Sequence, residues 1–246
     1  MRLLTIIITA SLIPSHPKIK LIQETIESLQ LINIPSDTEI ILAHDYSDNN
    51  NYSDYLKNLN EYIKSYSNIK IVKRENHGHL TGNIRNALQY VDSKYILVIQ
   101  HDLPFIKMID IQKIIYDMEE NNNIKYIRFG TTKAPTSWDN NNIKKIRFFK
   151  TNLKNIRKLD SLYGLQVKQK NYTYTRTPAW SDQNHLCLTS YYTNIVMKEC
   201  PDGCFMERIL HGKNKNEEIH NKYGTYLFGK LNDHLIIKHT DGRNTK

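Results

Sequence analysis

The chain has 246 residues, an ordinary hydrophobic fraction of 39% and a formal net charge of +9. That length allows one large α/β domain or two small ones with a sizeable core. Three cysteines, Cys187, Cys200 and Cys204, argue against a disulfide framework and suit a reducing compartment. The spacing of Cys200 and Cys204 lacks the second pair that a structural zinc knuckle needs. No apolar run approaches the roughly 18 residues that span a bilayer. Met1–Pro14 carries a single Arg2 before a short apolar core, so it reads as a first strand rather than a signal peptide. The expectation is a soluble, cytoplasmic protein. The basicity is local: nine Lys/Arg lie between Lys144 and Lys170 against one acid, Asp160. Such a segment suits an anionic ligand, a phospholipid surface or nucleic acid, and equally a solvated face.

Strand and helix signals alternate through the first half. Leu3–Thr9 reads as a buried strand, and Ile19–Leu31 has apolar residues at helical spacing. Glu39–Ala43 is a short strand, Tyr52–Tyr66 a helix with one tyrosine-rich packing face, and Asn68–Val72 a third strand. Leu80–Val91 is helical. Residues 94–102 then form a strand whose unbroken apolar run, Tyr95–Ile99, is that of a strand covered on both faces. A helix near Ile109–Glu119 and a strand Ile124–Phe129 follow. This order predicts a mainly parallel, doubly wound α/β sheet. Residues 131–183 show no clear period. Beyond them, Tyr191–Met197 and Phe205–Leu210 read as short helices, and Thr225–Phe228 and His234–Ile237 as strands. With no linker signature, residues 1–130 and 131–246 read as two halves of one domain.

Four polar clusters follow the first four strands: Thr9-Ala10-Ser11, His44-Asp45-Tyr46-Ser47, Asn76-His77-Gly78-His79 and Gln100-His101-Asp102. In a parallel sheet these ends share one edge, where open α/β sheets bind ligands. Neither Gly-x-Gly-x-x-Gly nor a P-loop motif is present, so nucleotide phosphates need another counter-charge, such as a metal on Asp102 or the Arg85 guanidinium.

Across residues 3–105 the chain resembles the GT-A-fold glycosyltransferases, specifically the large inverting group called family 2. The resemblance rests on the opening strand, on His44-Asp45-Tyr46-Ser47 where that family has Asp-Asp-x-Ser, on Asn76-His77-Gly78 with Asn83-Ile84-Arg85-Asn86, and on a strand ending in Asp102. It implies a GT-A fold, a nucleotide-diphosphate-sugar donor, UDP-linked by preference, and Mn²⁺ or Mg²⁺. It implies that Thr9, Ser11 and Asp45 contact the nucleoside, that Arg85 and His101 lie near base or diphosphate, and that Asp102 binds the metal. A late histidine reaching the metal or diphosphate would be His239, aided by Arg243. Apart from the resemblance, Trp138 and Trp180 are candidates to stack on a sugar ring, with ordinary packing as the alternative. The family's base is a carboxylate in the second half, with Glu207 the first match and Asp182 the second.

The mechanism so implied is a single inverting displacement, in which the base deprotonates an acceptor hydroxyl. The acceptor (glycan, lipid-linked or protein) stays open, and segment 144–170 would face an anionic acceptor or touch a membrane peripherally. The sequence departs from the family at His44, Gln100 and His101, where carboxylates are expected. A catalytically impaired relative acting as a binding module therefore stays open. A sugar nucleotidyltransferase would need a Gly-rich loop after the first strand, and a nucleic-acid-binding protein would leave the strand-end clusters unexplained.

Overall fold

Every residue of the first strand, β1 (Leu4–Ala10), is buried, and its side chains alternate between two cores. Leu4, Ile6, Ile8 and Ala10 join one apolar cluster while Ile7 joins the other. A strand alternates its side chains between the two faces of a sheet, so this split means that both faces are covered. Strand β5 (Tyr95–Gln100) repeats the pattern, with Tyr95, Leu97 and Ile99 on one face and Ile96 and Val98 on the other. Each such buried aliphatic side chain contributes roughly 1.5–3 kcal/mol.

The computed structural model describes residues 2–14, 17–131, 166–177, 180–210, 217–230 and 235–240. Strand β2 (Ile32–Asn33) pairs with β6 (Ile109–Asp110) in a small separate ladder. The main sheet adds β3 (Glu39–His44), β4 (Ile69–Lys73), β7 (Tyr126–Arg128), β8 (Gln166–Lys168), β9 (Thr173–Arg176), β10 (His185–Leu188) and β11 (Thr225–Phe228). Among the described residues its nine strands run in the order β4-β3-β1-β5-β10-β7-β11-β9-β8. The first four are parallel, and β10 is inserted antiparallel between β5 and β7. From β1 the chain moves outward to β3 and β4, then returns to β5 on the other side. The carboxyl ends of β1 and β5 therefore flank the switch point at which α/β sheets take ligands.

Helices α1 (Lys20–Glu27), α2 (Tyr52–Ile63) and α4 (Ile111–Glu120) cover one face through Ile22, Ile26, Tyr55, Leu59, Ile114 and Met118. Helix α3 (His79–Leu88) covers the other through Ile84 and Ala87. It is joined there by a helical stretch in which a π segment, Tyr192–Val196, interrupts the α turns Thr189–Tyr191 and Met197–Glu199. No helix among the described residues is long and apolar enough to cross a membrane.

The first-half elements agree with the sequence expectation to within a few residues. The antiparallel β10 does not appear in it, because His-Leu-Cys-Leu is too short and mixed to announce a strand. The hairpin β8–β9 is likewise absent from the sequence reading. Its anchor is the fully buried Asp117 of α4. That carboxylate accepts from Asn171 N (3.1 Å), Asn171 Nδ2 (2.9 Å), Tyr172 N (2.9 Å) and the Tyr174 hydroxyl (2.8 Å). Of the basic segment 144–170, only residues 166–170 fall among the described residues. Of the expected strand 234–237, residues 235–237 are described, and there Ile237 makes an isolated bridge with Phe105.

Candidate active site

A cavity of about 410 Å³ opens at the carboxyl ends of β1, β3 and β5. Thr9, Ser11, Asp45, His101 and Asp102 line it, as does Asp182 from the second half of the chain. The strand-end clusters thus meet in one crevice, as a parallel sheet requires.

The buried Asn83 of α3 ties the rim together, donating to the carbonyls of Ala43 (2.7 Å) and Ala10 (3.3 Å). Asp45, nearly inaccessible, is fixed by N–H donors: Gly78 N (2.9 Å) and Tyr46 N (3.1 Å) donate to Oδ1, and His77 Nδ1 lies 3.0 Å from Oδ2. Arg74, directly after β4, stands 3.9 Å from the same carboxylate. A Cβ at Gly78 would collide with the Arg74 guanidinium, so only glycine fits this close approach without displacing it. His79 opens α3 with φ +52°, a conformation uncommon outside glycine. Its ring packs on His77 (4.4 Å) and on the half-exposed Phe205 (5.5 Å), and all three line the crevice.

Opposite, Asp102 is buried at the end of β5. The extended segment around Ile237 runs back along residues 102–106: Ile106 N donates to Ile236 O (3.0 Å), Lys238 N to Pro104 O (3.0 Å) and Thr240 N to Asp102 O (2.9 Å). This ladder delivers His239, whose Nε2 lies 3.2 Å from Asp102 Oδ2. His101 Nδ1 donates to the Thr9 carbonyl (3.2 Å), locking the β1 and β5 ends together.

Asp182 is positioned from below. Asn184 accepts from Gln100 N (2.9 Å) and donates to Leu103 O (2.7 Å), and Gln100 Nε2 donates to Asp182 O (2.8 Å). The Tyr126 hydroxyl donates to Ser181 O, and Ser181 Oγ donates to Glu207 Oε2 (3.4 Å). Glu207 sits in the first turn of the helix Met206–Leu210. Burial, and then the Glu207 carboxyl beside it, push the Asp182 carboxyl up from 3.8 to about 7. Burial works in the opposite sense on His44 and His185, holding both imidazoles down to about 4 and neutral. His44, at the family's acidic position, packs on Tyr52 and Tyr55 (5.6 and 5.2 Å between ring centres) and is a core residue.

Two sequence expectations do not meet this geometry. Arg85 points away from the crevice: its Nε donates to Asp202 Oδ1 (2.6 Å) and its Nη2 to the carbonyls of Met197 (3.0 Å) and Cys200 (2.6 Å). Helical spacing sends Asn83 inward, so Arg85, two residues on, faces away from it. Trp180 is fully buried against Tyr126 (5.5 Å) and His185 (5.9 Å), inaccessible to a sugar. Trp138 and Arg243 lie outside the described residues. Sequence reasoning undervalued His77, His79 and Phe205 and overlooked Arg74. The signal for Arg74 was its place at a strand end.

The fold is that of the GT-A glycosyltransferases. The model of glycosyl transferase family 2 matches residues 11–177, and the chain belongs to that family. Among solved structures, S. aureus TarS 1-349 is similar to 98% of this chain at 14% identity and a TM-score of 0.56. TarS 1-349 in complex with UDP-GlcNAc matches at 13% identity with the same TM-score. A Pyrobaculum calidifontis mannosyltransferase in complex with GDP-Man and Mn²⁺ matches 78% of this chain and 46% of its own, at 10% identity and a TM-score of 0.50. The chain spans about 61% of the TarS 1-349 chain. No curated protein matches it.

Proposed function

We propose that the protein transfers a sugar, with inversion, from a nucleotide-diphosphate sugar to an acceptor hydroxyl. The observation that carries this reading is a carboxyl lifted to about 7, Asp182, lining the same crevice as Asp45 and Asp102. A group poised near neutral pH is suited to take a proton in the reaction. Residues 1–130 then form the donor half and 131–246 the acceptor half.

In this reading Asp182, rather than Glu207, is the base. It is Asp182 that lines the crevice, and the neighbouring Glu207 carboxyl raises its proton affinity. The acceptor hydroxyl gives its proton to Asp182 as its oxygen bonds to the anomeric carbon, and the bond to the diphosphate oxygen breaks on the opposite face. Thr9, Ser11 and Asp45 hold the nucleoside, and His101 flanks the diphosphate. UDP is the preferred nucleotide. Among the described residues no group of three or more His, Cys, Asp and Glu converges on a cation. The Asp102–His239 pair nevertheless fits a divalent ion that takes its remaining ligands from phosphate and water, since Mg²⁺ commonly binds through one or two carboxylates plus substrate oxygens. Mn²⁺ or Mg²⁺ held there would neutralise charge on the departing diphosphate.

The test is a thermal-shift panel of UDP-, GDP- and TDP-sugars with and without Mn²⁺, followed by donor-hydrolysis assays. A donor that binds the native state raises the melting temperature by mass action. Absence of any shift at millimolar donor would overturn the reading.

A further inference from the structure

A second cavity, of about 550 Å³, lies between the β8–β9 hairpin, the end of β11 and the turn before β6. Lys107, Lys168, Lys170 and Lys230 line it, and no Asp or Glu does so among the described residues. Its floor carries an edge-to-face aromatic pair, Tyr172 and Phe228, with ring centres 5.0 Å apart. Lys168 and Lys170 are exposed members of the basic segment that the crevice chemistry leaves unused. Their hairpin is clamped to α4 by the four hydrogen bonds to Asp117, so the charges are carried on a fixed frame.

Lysines set around a groove with an aromatic pair match a chain that has apolar faces and anionic groups; Lys170 also lines the neighbouring cavity, where its Nζ lies 4.7 Å over the Tyr116 ring. Lysines bind phosphate or carboxylate as point charges, and aromatic faces accept apolar ring surfaces. A bilayer would instead require several apolar residues to project outward, and among the described lining residues Met108 is the one large apolar side chain that is exposed. The groove also lies near the crevice along the chain. Ile236 lines it, and three residues later along the same extended segment His239 meets Asp102, about 10 Å away at strand rise.

We infer that this groove is a subsite for an anionic glycan acceptor. It grips phosphate or carboxylate groups a residue or two from the hydroxyl that enters the crevice. The inference rests on the glycosyltransferase reading and names the acceptor class for it.

The experiment measures fluorescence anisotropy of labelled oligogalacturonate, a carboxylate glycan, and of labelled inorganic polyphosphate, with neutral maltodextrin and phosphatidylglycerol vesicles as controls. The full chain should bind at least one anionic probe, more weakly as salt rises. Lys168→Glu/Lys170→Glu should lower that affinity at least tenfold and leave the nucleotide-dependent thermal shift unchanged. If the charge reversal fails to fold, Lys168→Gln/Lys170→Gln should lower it at least threefold. Which probe binds distinguishes carboxylate from phosphate. Equal binding of maltodextrin, binding of vesicles alone, no binding of either anionic probe, or variants that bind like the wild type would each overturn the groove assignment. Loss of the nucleotide shift in the wild type, with probe binding intact, would instead overturn the donor reading.

Discussion

His239 Nε2 lies 3.2 Å from the Asp102 carboxylate, which joins the two halves of the chain at the rim of one crevice. The contact exists because backbone bonds zip residues 236–240 onto 102–106. Asp102→Ala should abolish the Mn²⁺-dependent part of the donor thermal shift and lower donor hydrolysis at least 100-fold. His239→Ala should cost about 10- to 100-fold in metal affinity by calorimetry, the range for loss of a metal-site partner. Wild-type metal response in both variants would remove this pair from the metal site.

Asp182 should give transfer an acid limb. The base works deprotonated, so kcat/KM should rise with pH through an apparent value near 7 that belongs to the Asp182–Glu207 pair. Glu207→Gln removes the neighbouring charge and should move that limb downward by about one pH unit, at roughly 1.4 kcal/mol per unit. Asp182→Asn should still bind donor and lose transfer at least 100-fold. Stability runs the other way. A carboxyl raised in the folded state contributes stability that is full below about pH 4 and lost as pH rises through about 7. Asp182→Asn should therefore be more stable than the wild type at pH 8 and no more stable at pH 4, read by urea denaturation. An unshifted limb in Glu207→Gln would refute the coupling.

Arg85 should behave as a structural clamp. Its ion pair with Asp202 is solvent-exposed and worth at most about 1 kcal/mol, while its bonds to the Met197 and Cys200 carbonyls add a comparable amount. Arg85→Ala should lower stability by about 1–3 kcal/mol and leave nucleotide affinity within twofold. A tenfold loss of nucleotide affinity at unchanged stability would return Arg85 to the donor site.

Asp117 should be among the most sensitive positions outside the crevice. Asp117→Ala strands the Asn171 and Tyr172 backbone donors and the Tyr174 hydroxyl, and the cost should be about 3 kcal/mol or more. Asp117→Asn keeps the volume but loses acceptor capacity and should cost about half as much. Chemical denaturation of the two variants checks the order.

The crevice was legible where chemistry sits at strand ends. Asp45 and Asp102 each close an apolar run, and a parallel sheet brings such ends to one edge whatever the connecting helices look like. Arg85 and Trp180 lie away from the crevice. Both lie in motifs that suggest ligands, yet helix phase turns Arg85 outward and the antiparallel β10 carries Trp180's neighbours into the core. Of the two candidate bases, Asp182 lines the crevice, because exposure to it is a property of packing and not of position in a helix.

The sequence by itself determined the parallel half-sheet, its two covered faces and the identity of the strand-end groups, because these follow from local periodicity. Only the tertiary structure decided that His239 meets Asp102, that Glu207 lifts Asp182, and that Lys107 shares a groove with Lys168 and Lys170. Those are contacts between residues far apart in the chain. Backbone hydrogen bonds and burial set them, and no local pattern encodes them.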